Sequence, residues 1–205
     1  MRKVNKKPIE RIYPDDKRVK PQTIAHHKAR YEFASMFEQS GRVAIDLACG
    51  TGYGTDRLRL AGYNVIGVDI CEEAIKYARE NFPENIFIIT DIATCLDKQE
   101  KAIFDMVTFF EALEHLSKTD GRKLIIRIGK LLKKNGVFIM SIPRDINEKN
   151  NGFHKSKWGF GELKNTLESV FDEVIMLGQD WDTAEFSEED VEKNDFYIAV
   201  CTNVN

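Results

Sequence analysis

Three acidic residues end three successive apolar runs: Asp46 in RVAIDLA, Asp69 in NVIGVDI and Asp91 in NIFIITDI. The first run continues through Leu47, Ala48 and Cys49 into Gly50-Thr51-Gly52-Tyr53-Gly54, after which a helical pattern begins. Glycines at such a turn remove the Cβ atoms that would hold a ligand off the backbone, and the helix start offers free N–H groups to an anionic ligand group. A nucleotide-type ligand is implied. A dinucleotide fingerprint would place another glycine three residues after Gly52, where Thr55 stands, so that reading fails. Asp46 also argues against a pyrophosphate, because like charges repel strongly in a partly desolvated pocket; a cationic ligand fits better. Asp69, 19 residues after Gly50, is placed to accept both hydrogens of a ribose diol. Asp91 can meet an adenine amino group, with Ile70 and Ile92 packing on its faces. Aspartates also cap helices and open turns, so each alone says little. Three of them on consecutive strand ends describe one pocket.

A second group follows the fourth apolar run. Glu111, Glu114 and His115 stand at i, i+3 and i+4 of an expected helix start and so share one face. An imidazole titrates near neutral pH, which makes His115 or His154 the candidate base for a hydroxyl proton. His154 lies in PRDINEKNNGFHKSKWGFGELKNTLESVF, a long polar stretch that enters a helix near Gly161. Long loops inside compact domains are commonly lids or recognition surfaces. Asn151, His154, Lys157 and Trp158 can give a sugar or nucleotide hydrogen bonds, charge and a stacking face, although Trp158 serves equally well as an apolar anchor for the loop. Cys49, Cys71, Cys95 and Cys201 are far apart among apolar neighbours and read as reduced, packed thiols rather than a zinc or disulfide framework.

These residues need a scaffold, and the chain supplies one. From residue 42 onward, RVAIDLA, NVIGVDI, NIFIITDI, FDMVTFFE and GVFIMSIP are separated by helix-length segments, the mark of parallel strands buried on both faces with helices against them. The last two runs, DEVIMLG and FYIAVCT, enclose a polar stretch over 179–195 that reads as a loop, so the final strand inserts antiparallel. Glu72–Asn81 and Thr119–Lys134 read as helices, with Asn135-Gly136 as the stop after the second. Residues 94–102 read as a short helix or a loop.

The 205 residues are 42% hydrophobic and 31% charged, enough for one domain with a sizeable core. A net charge of -3 disfavours a wholesale polyanion binder. No stretch has the roughly 18 apolar residues of a membrane span, and the start MRKVNKKPIERIYPDDKR lacks the apolar centre of a signal peptide, so a cytoplasmic location is expected. Residues 1–30 hold ten basic and three acidic residues, whereas 180–195 hold eight acidic and one basic. The two segments are read as solvated faces that can attract each other, or the first as an arm for a phosphate-bearing substrate. The division expected is a basic arm over 1–25, one domain over 26–205, and an acceptor-side loop over 143–161.

Taken together, VAIDLACGTGYGT, VIGVDI, ITDI, FDMVTFFEALEHL and LLKKNGVFIMSIP resemble the class I S-adenosylmethionine-dependent methyltransferases over about residues 26–178. The resemblance implies an α/β, Rossmann-like seven-stranded sheet of order 3-2-1-4-5-7-6, strand 7 antiparallel, with helices on both faces. It implies S-adenosyl-L-methionine as cofactor, its methionine half in the loop of Ala48, Gly50 and Gly52, its ribose on Asp69, and its adenine by Asp91 and Ile92. It accounts for Asp46 opposite an ammonium and a sulfonium, and it assigns Glu111 to the same pocket. HHKARYEFA is similar to an entry helix in a bacterial and phage subset often associated with surface-glycan genes. That likeness implies that Arg30 pairs with the cofactor carboxylate while Tyr31 shields the methyl group; the alternative is an amphipathic helix whose aromatics merely pack. The acceptor is expected between the His26–Tyr31 helix and the 147–161 loop, as a small polar molecule methylated on an oxygen, a sugar or related metabolite. Catalytic roles fall to His115, His154 and Glu111.

Two other readings use the same residues. Glu111-x-x-Glu114-His115 with a later histidine also resembles the magnesium or manganese site of small-RNA ribose 2′-O-methyltransferases. The chain departs from that pattern, with His154 alone where two spaced histidines are expected, and no metal is expected here. The other is a non-catalytic S-adenosylmethionine-binding module, which predicts a damaged cofactor loop. Asp46, Gly50, Gly52 and Asp69 are all present.

Overall fold

The computed structural model describes residues 11–37, 41–97, 101–144 and 154–205. The chain runs α1 (Pro21–Ser35), β1 (Val43–Leu47), α2 (Tyr53–Leu60), β2 (Asn64–Asp69), α3 (Glu72–Asn81), β3 (Ile86–Ile89), α4 (Ile92–Asp97), β4 (Phe104–Phe110), α5 (Lys118–Leu131), β5 (Leu132–Pro143), α6 (Phe160–Glu168), β6 (Phe171–Gln179), β7 (Phe186–Ser187) and β8 (Phe196–Val204). Short 3-10 turns occupy Leu113–His115 and Val191–Lys193. One sheet has the order β3-β2-β1-β4-β5-β8-β6-β7. The first five are parallel neighbours, and β8 enters antiparallel between β5 and β6. The expected order holds, with β8 in the role of the seventh strand and one added two-residue strand.

That addition comes from the segment read as a polar loop. Asp180 Oδ1 accepts hydrogen bonds from the N–H groups of Asp182 and Thr183, each at 2.9 Å, an aspartate-closed turn that folds Phe186–Ser187 back onto Gly178 and Gln179. The helix read over 119–134 also differs at its end. Ser117 caps α5 by accepting from Asp120 N, but the helix stops at Leu131, because Leu132 turns extended and pairs with Phe104. Asn135-Gly136 lies inside β5, at a register shift in its pairing with β4, rather than marking the helix stop. The short segment after Asp91 is helical over Ile92–Asp97.

Strand side chains alternate between two cores, as the period of a β-strand requires. Ile45, Leu47, Val107 and Phe109 join α4, α5 and α6 on one face; Ala44, Met106 and Phe110 join Tyr31, Ala34 and Leu58 of α1 and α2 on the other. Cys49, Ile75, Ala78 and Phe87 seat α3. Cys49, Cys95 and Cys201 are buried thiols and Cys71 is partly exposed; none of the four forms a disulfide. No described helix is long and apolar enough to cross a membrane. The chain moves outward from β1 to β3 and then returns to place β4 against β1. Connections leave β1 and β4 in opposite directions, which opens a crevice at their carboxyl ends.

Candidate active site

Two cavities meet over that crevice. The first, about 410 Å³, is walled by α1, the glycine loop, the turn after β4, and the Trp181 and Phe196 rings. All four histidines of the chain, His26, His27, His115 and His154, line it. The second, about 680 Å³, lies over Ile70, Asp91, Ile92 and Leu96. Arg11, Ala48, Asp69, Ala112 and His115 border both.

The junction is built from unusual backbone. Ala48 and Glu111 follow the ends of the paired strands β1 and β4 with φ of 57° and 50°. Such left-handed conformations cost a non-glycine residue on the order of 1–3 kcal/mol and collect at functional sites. Gly52 has φ 82°, and a Cβ there would stand 2.6 Å from the Phe87 ring, so the loop closes onto α3 only with glycine. Gly50 has φ 55° and nothing within 4 Å of where its Cβ would be, leaving its backbone open to close approach.

Asp69 lies where the sequence put it. Its Oδ2 accepts from Gly50 N at 3.0 Å and its Oδ1 from Cys71 N at 2.8 Å. Two amides use about half of a carboxylate's acceptor sites, and a vicinal diol would compete for the others with the Arg11 guanidinium, 3.4 Å from Oδ1. Ile70 and Ile92 line the second cavity with Asp91. The Asp91 carboxylate also caps α4 by accepting from Thr94 N at 2.9 Å, and hydrogen bonds from the Thr94 side chain and backbone hold its pKa below the usual range. An adenosyl ligand fits these residues: spare acceptors on Asp69, an open Gly50, and apolar walls from Ile70 and Ile92.

Asp46 and Arg30 stand elsewhere than expected. Asp46 is fully buried and lines neither cavity. It accepts hydrogen bonds from Thr55 at 2.7 Å, Thr108 at 2.8 Å and Tyr31 at 3.1 Å. Burial raises its pKa to about 6 against the pull of those hydroxyls. Its role is therefore to fix the Tyr31 ring, which lines the cavity against Phe110, rather than to face a cation directly. Arg30, expected at the cofactor carboxylate, lies behind the wall and is 1% exposed. Its Nε donates to Gln179 Oε1 at 2.8 Å, its Nη1 pairs with Glu111 Oε1 at 3.2 Å, and its guanidinium lies 4.3 Å from the Phe196 ring centre. Glu111 also accepts from Ser141 Oγ at 2.7 Å, so Arg30 and Ser141 together orient the Glu111 carboxylate in the cavity wall.

Glu111, Glu114 and His115 all reach the first cavity, but not from one helix face: Glu111 directly follows β4, and only Glu114 and His115 lie in the 3-10 turn Leu113–His115. The left-handed Glu111 breaks the helical path before it starts. Glu114 is 3% exposed, and burial together with the charge of Glu111 lifts its pKa well above the carboxylate range. His154 joins them because Lys155 N and Ser156 N donate to the Glu114 carbonyl at 2.8 and 3.1 Å. Trp158 is an anchor. It is buried in the core and packs on Gly121, where a Cβ would stand 2.9 Å from its ring. Asn151 and the 145–153 part of the acceptor-side loop lie outside the described residues.

Several cavity residues carry no signal in a local sequence pattern. Arg11 and Ile12 of the basic arm reach the pocket: the Arg11 guanidinium approaches Asp69, and the Ile12 carbonyl accepts from Thr51 Oγ1 at 2.7 Å. This part of the arm meets Asp69 and the glycine loop, not the acidic segment. From that segment comes Trp181, whose carbonyl is 2.6 Å from His26 Nε2 and whose ring packs on the imidazole. His27 lines the cavity, with burial, Arg30 and His26 holding its pKa well below the ordinary imidazole value.

A family model described as a methyltransferase domain matches residues 38–198. A probable S-adenosylmethionine-dependent methyltransferase of Mycolicibacterium smegmatis is 28% identical over 141 residues, 66% of this chain and 53% of that protein. A ubiquinone biosynthesis O-methyltransferase of Methylococcus capsulatus is 31% identical over 111 residues, 52% of this chain and 46% of that protein. The chain thus spans about half the length of the curated relatives it matches. Among solved structures, the N-methyltransferase NodS of Bradyrhizobium japonicum, in complex with S-adenosyl-L-homocysteine, superposes with a TM-score of 0.65 at 21% identity, covering 93% of each chain.

Proposed function

The chain belongs to the methyltransferase-domain family, in the class I S-adenosylmethionine-dependent group, and on that premise we propose that it methylates an oxygen of a small polar acceptor, a sugar or related metabolite. The observation that carries this reading is the meeting of the two cavities at Asp69 and Ala48: one has the apolar walls suited to an adenosyl group, the other is ringed by imidazoles and aromatic faces. Bound S-adenosylmethionine supplies an electrophilic methyl carbon. Ala48, Gly50 and Asp69 would hold that ligand, with Ile70, Ile92 and Asp91 around its base, while Gly52, which lines neither cavity, closes the loop onto α3 behind them.

Displacement at carbon asks chiefly for in-line positioning and exclusion of water. Tyr31, Phe110, Trp181 and Phe196 give the acceptor cavity its apolar sides. Glu111, fixed by Arg30 and Ser141, accepts a hydrogen bond from the acceptor. The proton of the reacting hydroxyl would leave toward the wall of His115 and His154, whose ring nitrogens can accept it. Hydroxyl-rich ligands match this mixture of polar tips and ring faces.

The test is incubation of the full chain with methyl-labelled S-adenosylmethionine and a cell extract divided into small-molecule and macromolecular fractions. The expected result is label in the small-molecule fraction, released as an O-methyl group, with turnover little changed by salt. Label in the nucleic-acid fraction, falling by orders of magnitude as salt rises, would overturn the acceptor assignment.

A further inference from the structure

We propose that the open sheet face at β6 and β8, beside the end of α1, is a docking groove for a basic amphipathic helix of a partner protein. A cavity of about 820 Å³ lies there, with apolar walls of Phe33, Phe37, Ile175, Leu177, Phe186 and Val200. It shares no lining residue with either cavity over the crevice.

The groove exists because β6 is packed along its length on one face and only at its end on the other. Its side chains alternate. Val174 and Met176 join the core with Leu163 and Leu167 of α6, whereas Glu173, Ile175 and Leu177 point the other way. On that side the core under α1 and α2 reaches Leu177 and Val200, and Ile175 beyond them is left 51% exposed. Sheets in α/β proteins bury both faces under helices, and an apolar patch that stays open within a polar rim marks an interaction site. Ring contacts shape the opposite wall: Phe33 lies 5.0 Å from Phe186 and 5.5 Å from Phe37, centre to centre. β7, which carries Phe186, is the outermost strand, so nothing of the sheet lies beyond it.

Charge selects the occupant. Among the described residues the lining holds Glu173, Glu188 and Glu189 and no basic side chain. Glu188 and Glu189 belong to the 180–195 segment, with its eight acidic residues and one basic. A second copy of this chain, docked about a two-fold axis, would bring acidic rim to acidic rim, and like charges set together oppose an interface. A helix fits because helices cover this sheet face everywhere else. One with apolar residues at i, i+3, i+4 and i+7 sets its anchors among the phenylalanine rings and turns flanking Lys and Arg toward the three carboxylates. The groove has no wall in common with the crevice, so docking and methyl transfer are separable.

The probe is a synthetic helix of about five turns with leucine on one face and lysine on its flanks, beside a second peptide with glutamate in place of lysine. Fluorescence anisotropy with the full chain should show one equivalent of the lysine peptide bound, at least tenfold more tightly than the glutamate peptide. Ile175→Asp should weaken this binding at least tenfold although it adds a negative charge, and Glu188→Lys should weaken it as well. Unchanged circular dichroism verifies that both variants fold. Binding of the lysine peptide as tight or tighter in Ile175→Asp would show attraction by surface charge alone and overturn the groove. Absence of saturable binding by the wild type would overturn it too. A wild-type dimer in sedimentation that Ile175→Asp dissociates would make a second copy the occupant, against the proposal.

Discussion

The Arg11 guanidinium lies 3.4 Å from Asp69 Oδ1 through both Nε and Nη2, so the basic arm is paired with the carboxylate expected to hold the ribose. The two partners compete: a diol hydrogen bond to Asp69 replaces this contact. A partly exposed pair of this length is worth at most about 1 kcal/mol. Arg11→Ala should therefore tighten binding of S-adenosylhomocysteine by up to about fivefold, as read by calorimetry. Weaker binding in that variant would show that Arg11 holds the cofactor instead of competing with it.

Asp46 makes the fold pH-dependent in a defined direction. Its pKa rises from 3.8 when unfolded to about 6 in the native state, chiefly through burial. The native protein therefore holds the extra proton, and this contribution to stability is complete below about pH 4 and is lost as pH rises through about 6. The total is roughly 3 kcal/mol by the usual conversion. Urea unfolding of wild type and Asp46→Asn from pH 4 to 7 should show the stability difference moving against the wild type by up to that amount. A constant difference across this range would contradict the assignment.

Gly54 makes room for Tyr31. A Cβ on Gly54 would stand 1.9 Å from Tyr31 Cζ, and the ring is held by Asp46 below and Phe110 beside it. Gly54→Ala should cost about 1–3 kcal/mol as overpacking and weaken cofactor binding as Tyr31 leaves the cavity wall. Both are read by thermal unfolding with and without S-adenosylhomocysteine.

Trp158 is read as an anchor, with its Nε1 donating to Ser156 Oγ at 3.0 Å and Arg122 lying 5.6 Å from the ring centre. Trp158→Ala should cost about 3–5 kcal/mol while leaving affinity for S-adenosylhomocysteine within twofold. A stable variant with lost methyl transfer would make Trp158 an acceptor residue instead.

The parts of this site legible in the sequence are those fixed by local pattern. Asp69, Ile70, Asp91 and Ile92 reach the pocket because strand ends and a parallel topology leave them nowhere else to go. Gly50 and Gly52 are legible because a strand-to-helix turn needs their positive φ. Asp46 has the same pattern as Asp69, yet it sits beneath the loop. The difference is made by Tyr31, Thr55 and Thr108, three hydroxyls that converge from α1, α2 and β4 and have no common spacing in the chain. The same holds for Arg11, and for Trp181 against His26, contacts between residues 58 and 155 positions apart. Glu111, Glu114 and His115 line one cavity without the helix face that their spacing predicts, because the left-handed Glu111 belongs to the end of a strand, where helical periodicity carries no information.

Titration of the full chain with S-adenosylhomocysteine by calorimetry asks whether the crevice at Asp69 takes the cofactor. The wild type should bind one equivalent, and Asp69→Ala should bind at least tenfold more weakly. No heat from the folded wild type, or equal affinity in Asp69→Ala, would contradict a cofactor site there.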